Sequence, residues 1–177
     1  MIYFTADLHL GHANVIQHCN RPFTSAEEMD AALIRNWNET VSPQDEIYIL
    51  GDLTMKPAEQ AHRYLSVLQG RKYYIRGNHD HFLKRIDAYG DHFEWVKDYF
   101  VLRYNGKMFV LFHYPISEWD GYFRGAIHLY GHIHNSAASA ERLNKEGLCF
   151  NVGVDGTCFR PVSIDEIIAM AETKQQG

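Results

Sequence analysis

The chain has 177 residues, of which 46% are hydrophobic and 14% aromatic, a composition typical of a globular protein and not of a disordered one. This length predicts a single domain over residues 1–177 with a sizeable core. The formal net charge of −5 disfavours broad non-specific binding to nucleic acid or to an anionic membrane, although it leaves room for a local basic groove.

The cysteines and the N-terminus indicate the compartment. Cys19, Cys149 and Cys158 are odd in number and far apart in sequence, which disfavours a disulfide framework or a thiolate zinc site and favours a reducing compartment. The N-terminus enters a strand-like run without a secretory signal, and no apolar run approaches the ~20 residues of a membrane span. We therefore expect a cytoplasmic protein with no membrane partner. The sequence leaves the oligomeric state open.

The first half of the chain alternates strand-like and helical patterns. Apolar strand-like runs occupy residues 2–6, 45–50 and 71–76, and a short helix is predicted over residues 13–18. Two longer helices are predicted, one capped by Ser25 with Glu28 three residues on, and one opened by Pro57 and closed by Gly70. Strand, helix and strand within roughly thirty residues form a βαβ unit. The second and third strands should therefore be parallel.

The second half contains a hairpin signal. Asn105-Gly106 separates apolar runs at 100–104 and 107–112, which predicts a hairpin with a type I′ turn. The other predicted elements are a short helix near 81–87, strands over 126–130 and 148–154, and a last helix that begins at the capping box Ser163 to Glu166. Because both βαβ and hairpin units occur, we expect an α/β fold with two sheets, or one mixed sheet, flanked by helices.

Polar side chains follow five of the strand-like runs where each run ends. They are Asp7 with His9, Asp52, the triplet Asn78-His79-Asp80, His113, and His132 with His134. Three runs place a glycine directly before the polar residues, which lets the backbone turn sharply and approach a ligand closely. Parallel strands gather their carboxyl ends at one rim of a sheet. Histidine, which occurs 11 times in the chain and is the commonest metal ligand, is concentrated in these clusters.

Two carboxylates, several imidazoles and an amide at one rim would be costly to bury without partners, and a metal centre would satisfy them. So many candidate ligands favour two divalent ions that share a bridging carboxylate. A set without thiolate suits manganese, iron, zinc or nickel. Two such ions stabilise the attacking and leaving oxygens of an in-line phosphoryl displacement, and they lower the pKa of bound water from ~15.7 to about 7, so that hydroxide is the nucleophile.

The motifs Asp7-x-His9, Gly51-Asp52, Gly77-Asn78-His79-Asp80, His113 and Gly131-His132-x-His134 resemble, in order and along almost the whole chain, those of the calcineurin-like metallophosphoesterases. The resemblance implies a four-layer α/β/β/α sandwich with two mixed sheets flanked by helices. It implies that one metal ion is held by Asp7, His9, Asp52 and His134, and that Asp52 bridges to a second ion completed by Asn78, His113 and His132. It also implies catalytic roles for two further residues. His79 would protonate the leaving oxygen or stabilise the transition state, and Asp80 would orient His79.

Three residues beyond these motifs are candidates for contact with substrate. His12 lies just past the first motif and faces either the substrate phosphate or solvent. Arg21 and Arg124 are candidate phosphate contacts, because guanidinium recognises phosphate bidentately, although an ordinary surface position is the favoured reading for each.

The favoured function is that of a metal-dependent phosphoric ester hydrolase with a small phosphorylated substrate, either a phosphodiester or a phosphomonoester. The short chain leaves little room for a cap domain, so the site should be open. One alternative is a nuclease. The acidic net charge and the lack of a basic, aromatic-rich stripe argue against it. The other is a non-catalytic protein-binding scaffold of the same fold. That alternative predicts lost ligands, whereas every ligand of the pattern is present.

Overall fold

The computed structural model of the protein describes residues 1–85, 90–136 and 147–176. In these ranges one sheet has five strands and a second sheet has four. The strands of the first sheet are β1 Ile2–Thr5, β2 Glu46–Leu50, β3 Arg71–Ile75, β4 Phe93–Lys97 and β9 Val162–Ser163. Their spatial order is β4-β3-β2-β1-β9. Strands β1 to β4 are parallel and β9 is antiparallel to β1, which confirms that the second and third strands are parallel.

The second sheet contains the predicted hairpin. Its strands are β5 Tyr99–Tyr104, β6 Lys107–Phe112, β7 Ile127–Tyr130 and β8 Cys149–Asn151, in that spatial order. Strands β5 and β6 are antiparallel, whereas β6, β7 and β8 are parallel. At the turn, Asn105 and Gly106 have φ values of 46° and 73°, the pair of positive angles that a type I′ turn requires.

Among the described residues, the two larger of three hydrophobic cores lie on the two faces of the first sheet. The α-helices are α1 Ala13–His18, α2 Ala26–Thr40, α3 Ala58–Val67 and α4 Ile164–Gln176. On β2 the side chains alternate between faces, so that Ile47 and Ile49 pack with the first three helices while Tyr48 and Leu50 face the second sheet. Burying each such side chain contributes about 1.5–3 kcal/mol. The prediction of two mixed sheets flanked by helices is therefore confirmed.

The two predicted capping boxes differ in detail. At α4, Ser163 N donates to Glu166 Oε2 at 2.8 Å and Glu166 N donates to Ser163 Oγ at 3.2 Å, so the box is complete. At α2, Glu28 N donates to Ser25 Oγ at 3.2 Å. The Glu28 carboxylate, however, accepts from Thr24 N and Thr24 Oγ1 at 2.7 and 2.6 Å instead of from Ser25 N.

Other elements depart from the sequence-based expectations. Strands β4 and β9 were not predicted, and the strand expected over 148–154 is shorter because a 3₁₀ turn begins at Val154. The helix expected near 81–87 is a 3₁₀ helix over His81–Arg85, and residues 86 and 87 lie outside the described ranges. The described helices include none that is long and apolar enough to span a membrane.

Candidate metal centre

The loops that follow the parallel strands of both sheets meet at one rim. Asp7 N donates to Gly51 O and His9 N donates to Asp52 O, each at 3.0 Å, which joins the loops after β1 and β2. His132 N donates to Asp7 Oδ2 at 2.8 Å, which ties the loop after β7 to the first sheet. The carboxyl ends of strands from two sheets therefore form one site.

Glycines allow these loops to approach each other. A Cβ atom on Gly131 would lie 2.6 Å from Asp7 Oδ2, and a Cβ atom on Gly77 would lie 2.6 Å from Asp52 N. Real Cβ atoms essentially never come so close to such atoms. The packing of one motif against another thus requires glycine at Gly77 and Gly131.

The first cluster of ligand atoms comprises Asp7, His9 and His134. One ligand atom from each residue lies within 4.8 Å of the others, and the Asp7 and His9 residues are only 0% and 3% exposed. Among the described residues, Asp7 Oδ1 and both ring nitrogens of His9 have no hydrogen-bond partner. Buried polar atoms without partners are costly, and a cation bound by these atoms would remove that cost. The donor set therefore fits a metal ion.

The second cluster comprises Asn78, His113 and His132. Asn78 Oδ1 lies 3.0 Å from His113 Nε2 and 3.0 Å from His132 Nδ1. His113 Nδ1 must donate to the carbonyl oxygen of Leu50 at 2.7 Å, so a neutral His113 ring presents a lone pair at Nε2 to the amide oxygen. Two acceptors that face each other are satisfied by a cation, and this cluster also fits a metal ion.

Asp52 lies between the two clusters. Its Oδ2 atom is 3.6 Å from His9 Nε2 and 3.5 Å from His113 Nε2. Its Oδ1 atom accepts a hydrogen bond from His79 N at 2.9 Å, which fixes the orientation of the carboxylate. A single carboxylate oxygen thus faces ligand nitrogens of both clusters, as a bridging ligand would.

Burial in the metal-free site favours the neutral forms of Asp7, Asp52, His9 and His113, whereas hydrogen bonding to Asp155 raises the pKa of His134 despite its burial. Burial raises the pKa of Asp7 to about 8, and burial also raises the pKa of Asp52. Burial, with the nearby cationic forms of His134 and Arg21, lowers the pKa of His9 to about 2, and burial lowers the pKa of His113. Neutral imidazole is the form that binds metals, and a bound cation would favour ionised carboxylates.

The structure adds Asp155, which the sequence did not reveal as a site residue. Its Oδ2 atom lies 2.7 Å from His134 Nδ1 and its carboxylate is paired with Arg21. A weaker signal was present, because Gly153 and Asp155 follow β8 within a few residues, whereas Gly51 and Asp52 follow β2 directly. The strand predicted from the sequence ends at Val154, so Asp155 lies one residue beyond it.

The structure changes the interpretation of Arg21 and agrees with the favoured surface position of Arg124. Arg21 is buried, 4% exposed, and its guanidinium is occupied by protein partners, so it does not face a substrate phosphate. Arg124 is exposed and lies 3.5 Å from Asp120. It lines a cavity with Gly106 and Lys107 at the hairpin turn, at the end of β6 opposite His113.

Asp80 also corrects an expectation. Its Oδ1 atom accepts from Tyr74 OH at 2.7 Å and from Leu53 N at 3.0 Å, and its Oδ2 atom accepts from Asp52 N at 2.9 Å and from Gly77 N at 2.7 Å. No hydrogen bond to the His79 ring occurs among the contacts in the described ranges. Asp80 holds the loops after β2 and β3 together instead of orienting His79.

His79 and His12 lie beside the first cluster. The His79 ring centroid is 5.6 Å from that of His9, and the His12 ring centroid is 5.7 Å from that of His9. Both side chains are half-buried, so each can reach a ligand that enters the rim. The structure thus brings every predicted site residue to this rim, with Asp80 beneath it.

Comparisons with known proteins agree with this arrangement. A family model for the calcineurin-like phosphoesterase superfamily domain matches residues 1–175. An uncharacterized protein of Methanocaldococcus jannaschii is 39% identical over 174 residues, which cover 97% of this chain and 91% of that protein. The Gene 66 protein of Mycobacterium phage L5 is 31% identical over 192 aligned residues, with 93% of this chain and 91% of that protein covered.

A solved structure shares the fold along nearly the whole chain. It is a protein of unknown function from Aquifex aeolicus, with a TM-score of 0.74 and 25% sequence identity. The match covers 96% of this chain and 98% of that one. The two proteins therefore share the fold over nearly their whole lengths.

Proposed function

Because the chain belongs to the calcineurin-like phosphoesterase superfamily, we propose that it hydrolyses a phosphomonoester or a phosphodiester at a site that binds two divalent transition-metal ions. The observation that carries this proposal is the position of Asp52, whose Oδ2 atom lies 3.5 Å from His113 Nε2 and 3.6 Å from His9 Nε2. A carboxylate placed in this way suits two ions better than one. Manganese, iron, zinc and nickel all suit imidazole and carboxylate ligands without thiolate.

The ligands divide between the two ions. Asp7, His9 and His134 would hold one ion, Asn78, His113 and His132 would hold the other, and Asp52 would serve both. Two ions bound here would make hydroxide available at neutral pH and would offset negative charge on the phosphoryl oxygens.

The chain's own residues supply the remaining chemistry. His79 would donate a proton to the leaving oxygen, since its half-buried ring lies beside the first cluster. His12 would contact the substrate phosphate from the other side of His9. We propose a small phosphorylated substrate, because the net charge of −5 disfavours binding of a polyanion. We also propose that the protein acts in the cytoplasm.

Metal reconstitution tests the proposal. Protein stripped by a strong chelator should lose hydrolysis of both 4-nitrophenyl phosphate and bis(4-nitrophenyl) phosphate. Manganese, iron(II), zinc and nickel, added one at a time, should restore activity with at least one metal. A single-stranded oligonucleotide in the same panel tests the nuclease alternative. Full activity in the stripped protein would exclude a metal-dependent mechanism.

The bridging role of Asp52 gives a first prediction. Asp52→Asn preserves size but removes the charge that offsets two cations, so it should lower the occupancy of both ion sites. Asn78→Ala should empty mainly one site, because Asn78 contacts only His113 and His132 among the candidate ligands. Metal content per chain, measured by mass spectrometry after dialysis, distinguishes these results. Wild-type metal content in Asp52→Asn would show that Asp52 is not the bridge.

A further inference from the structure

Arg21 is a buried cation whose five N–H groups all have protein partners. Nε and Nη2 donate to the two carboxylate oxygens of Asp155 at 2.8 and 3.0 Å. Nη1 donates to Leu8 O at 2.9 Å and contacts Met29 Sδ at 3.4 Å, and Nη2 donates to Asp7 O at 2.7 Å. A guanidinium has five donors, so this set of partners is complete.

Asp155 connects the same guanidinium to His134. The side chains of Arg21 and Asp155 are 0% and 2% exposed, and Asp155 Oδ2 lies 2.7 Å from His134 Nδ1. Because the carboxylate accepts, Nδ1 is the protonated nitrogen of the ring, and Nε2 is left free to bind a ligand.

The carbonyl groups that Arg21 holds belong to the loop that carries the other two ligands of this cluster. Asp7 and His9 have φ values of 56° and 51°, a left-handed conformation that non-glycine residues adopt only when their surroundings impose it. Hydrogen bonds from Arg21 to Asp7 O and Leu8 O hold the two peptide groups on either side of the Leu8 Cα atom. One guanidinium thus reaches, directly or through Asp155, the segments that bear Asp7, His9 and His134.

We propose that Arg21 and Asp155 form a buried clamp that holds Asp7, His9 and His134 in metal-binding geometry before the ion binds. Both are positioning residues and neither contacts the ion. The inference rests on the proposed metal centre and assigns to the pair the pre-organisation of one of its two ion sites. The second cluster lacks such a pair among its described contacts, since His113 is oriented by the carbonyl group of Leu50.

Energetics separate this role from a general contribution to stability. A buried ion pair often stabilises a fold no more than well-packed apolar residues do, whereas removal of only one partner leaves an uncompensated charge and is strongly destabilising. A double substitution that removes both charges should therefore fold well. It would nevertheless lack the acceptor for His134 and the donors for the loop after β1.

The experiment compares Arg21→Met, Asp155→Leu and the double variant. Each protein is stripped of metal and titrated with manganese(II) by calorimetry, and urea unfolding is measured in parallel without metal. Both single variants should be less stable than the wild type, and the double variant should recover most of that loss. Manganese affinity at one of the two sites should stay about 10–100-fold weaker in the double variant, while the other site should change less.

Two further variants serve as a control remote from the site and as a conservative substitution at Asp155. Arg71→Met with Glu46→Leu removes an ion pair of 2.9 Å at the opposite end of β2 and β3 and should leave manganese binding unchanged. Asp155→Asn retains an oxygen that accepts from His134 Nδ1, so it should retain more affinity than Asp155→Leu.

The possible failures can be told apart. Wild-type manganese affinity at both sites in a folded double variant would overturn the clamp alone, as would equal loss of affinity at both sites. If the double variant does not fold, wild-type affinity in Asp155→Leu would overturn the clamp. Absence of manganese binding by the wild-type protein would overturn the proposed metal centre and the clamp with it.

Discussion

Five of the seven candidate ligands hold a backbone conformation that non-glycine residues seldom adopt. Their φ values lie between 51° and 70°, at Asp7, His9, Asp52, His132 and His134. Such a residue costs of the order of 1–3 kcal/mol, which the rest of the structure must offset. Bonds between loops, such as His132 N to Asp7 Oδ2 at 2.8 Å, contribute to this. At the level of single residues, the candidate ligands thus hold backbone conformations that are intrinsically unfavourable and that point to a role in binding.

The role of His79 gives a second prediction. General acid catalysis contributes typically ~10²–10⁴-fold, but only where the leaving oxygen needs a proton. His79→Gln should therefore lose far more kcat/KM on alkyl phosphate esters than on 4-nitrophenyl esters, because 4-nitrophenolate departs readily without a proton. The measurement is kcat/KM for both ester classes in the variant and the wild type.

Metal content must be measured alongside, because His79 is not assigned as a ligand and the variant should keep its ions. Equal losses on both ester classes would indicate that His79 stabilises phosphoryl charge instead. A large loss of metal would make His79 a ligand.

Asp80 gives a third prediction at the residue scale. Its carboxylate accepts from Tyr74 OH and three backbone N–H groups, so Asp80→Asn would turn an amide donor toward other donors. We expect the free energy of unfolding to fall by about 1–3 kcal/mol or more, measured by urea in metal-free protein. Asp98→Asn, at a carboxylate that is 72% exposed, is the control. Unchanged stability in Asp80→Asn together with a selective loss on alkyl esters would restore the role of orienting His79.

At the scale of elements, the sequence predicted what short-range chemistry determines. Asn105-Gly106 fixed the hairpin because both turn residues need positive φ, and the boxes at Ser25 and Ser163 marked helix starts. Strands β4 and β9 escaped prediction because β4 is a partly exposed edge strand that contains Glu94 and Lys97, and β9 has only two residues. Phe93–Lys97 is a strand by virtue of pairing with β3, and Val162–Ser163 by virtue of pairing with the edge of β1.

The candidate site likewise contains residues that the sequence predicted and residues that it did not. The ligands could be predicted because each follows a strand within one or a few residues, in a recognisable motif. Asp155 could not be assigned from the sequence, because its role comes from Arg21, which lies 134 residues away. For the same reason, neither sequence-based reading of Arg21, the favoured surface position or the phosphate contact, matches its buried position.

Helix α4 gives a fourth prediction. Hydrogen bonds from Arg160, and then from Ser163, lower the pKa of Glu166 to about 2 from its ordinary 4.5. A depressed carboxyl pKa contributes stability that is present above the ordinary value and is lost as the pH falls toward the folded-state value. Glu166→Gln should therefore lower the free energy of unfolding at pH 7 by about 0.5–1 kcal/mol, and the difference should shrink between pH 5 and pH 2.

The control for this prediction is Glu172→Gln on the same helix, whose carboxylate is 3.6 Å from Lys107 and 55% exposed. It should change stability little at any pH. A deficit in Glu166→Gln that stays constant down to pH 2 would mean that the carboxylate charge is not what stabilises the start of α4.

At the scale of the whole molecule, the site is where the two sheets meet. Asp7, His9, Asp52 and Asn78 follow strands of the first sheet, and His113, His132 and His134 follow strands of the second. The core between the sheets includes Phe4, Phe109 and Leu111. Its packing determines the positions of the ligands from one sheet relative to those from the other. Metal binding should in turn stabilise the sandwich as a unit, by about 2.7 kcal/mol for an ion at 100 times its dissociation constant.

Asp7 links this stability to pH, and it gives the last prediction. In the metal-free protein, burial raises the Asp7 pKa to about 8 from its ordinary 3.8, so between these values the folded state keeps a proton that the unfolded chain releases. The contribution of Asp7 to the free energy of unfolding should therefore fall as the pH rises from about 4 to 8, whereas the low pKa of His9 acts in the opposite direction below its ordinary 6.5. The wild type should accordingly lose stability relative to Asp7→Asn as the pH rises through this range, as measured by urea unfolding with chelator present. Manganese should stabilise the wild type more as the pH rises through this range, because it binds the ionised carboxylate, and should stabilise Asp7→Asn much less. An identical slope in both proteins would mean that Asp7 is ionised without a cation, and the argument that its burial creates a metal site would fail.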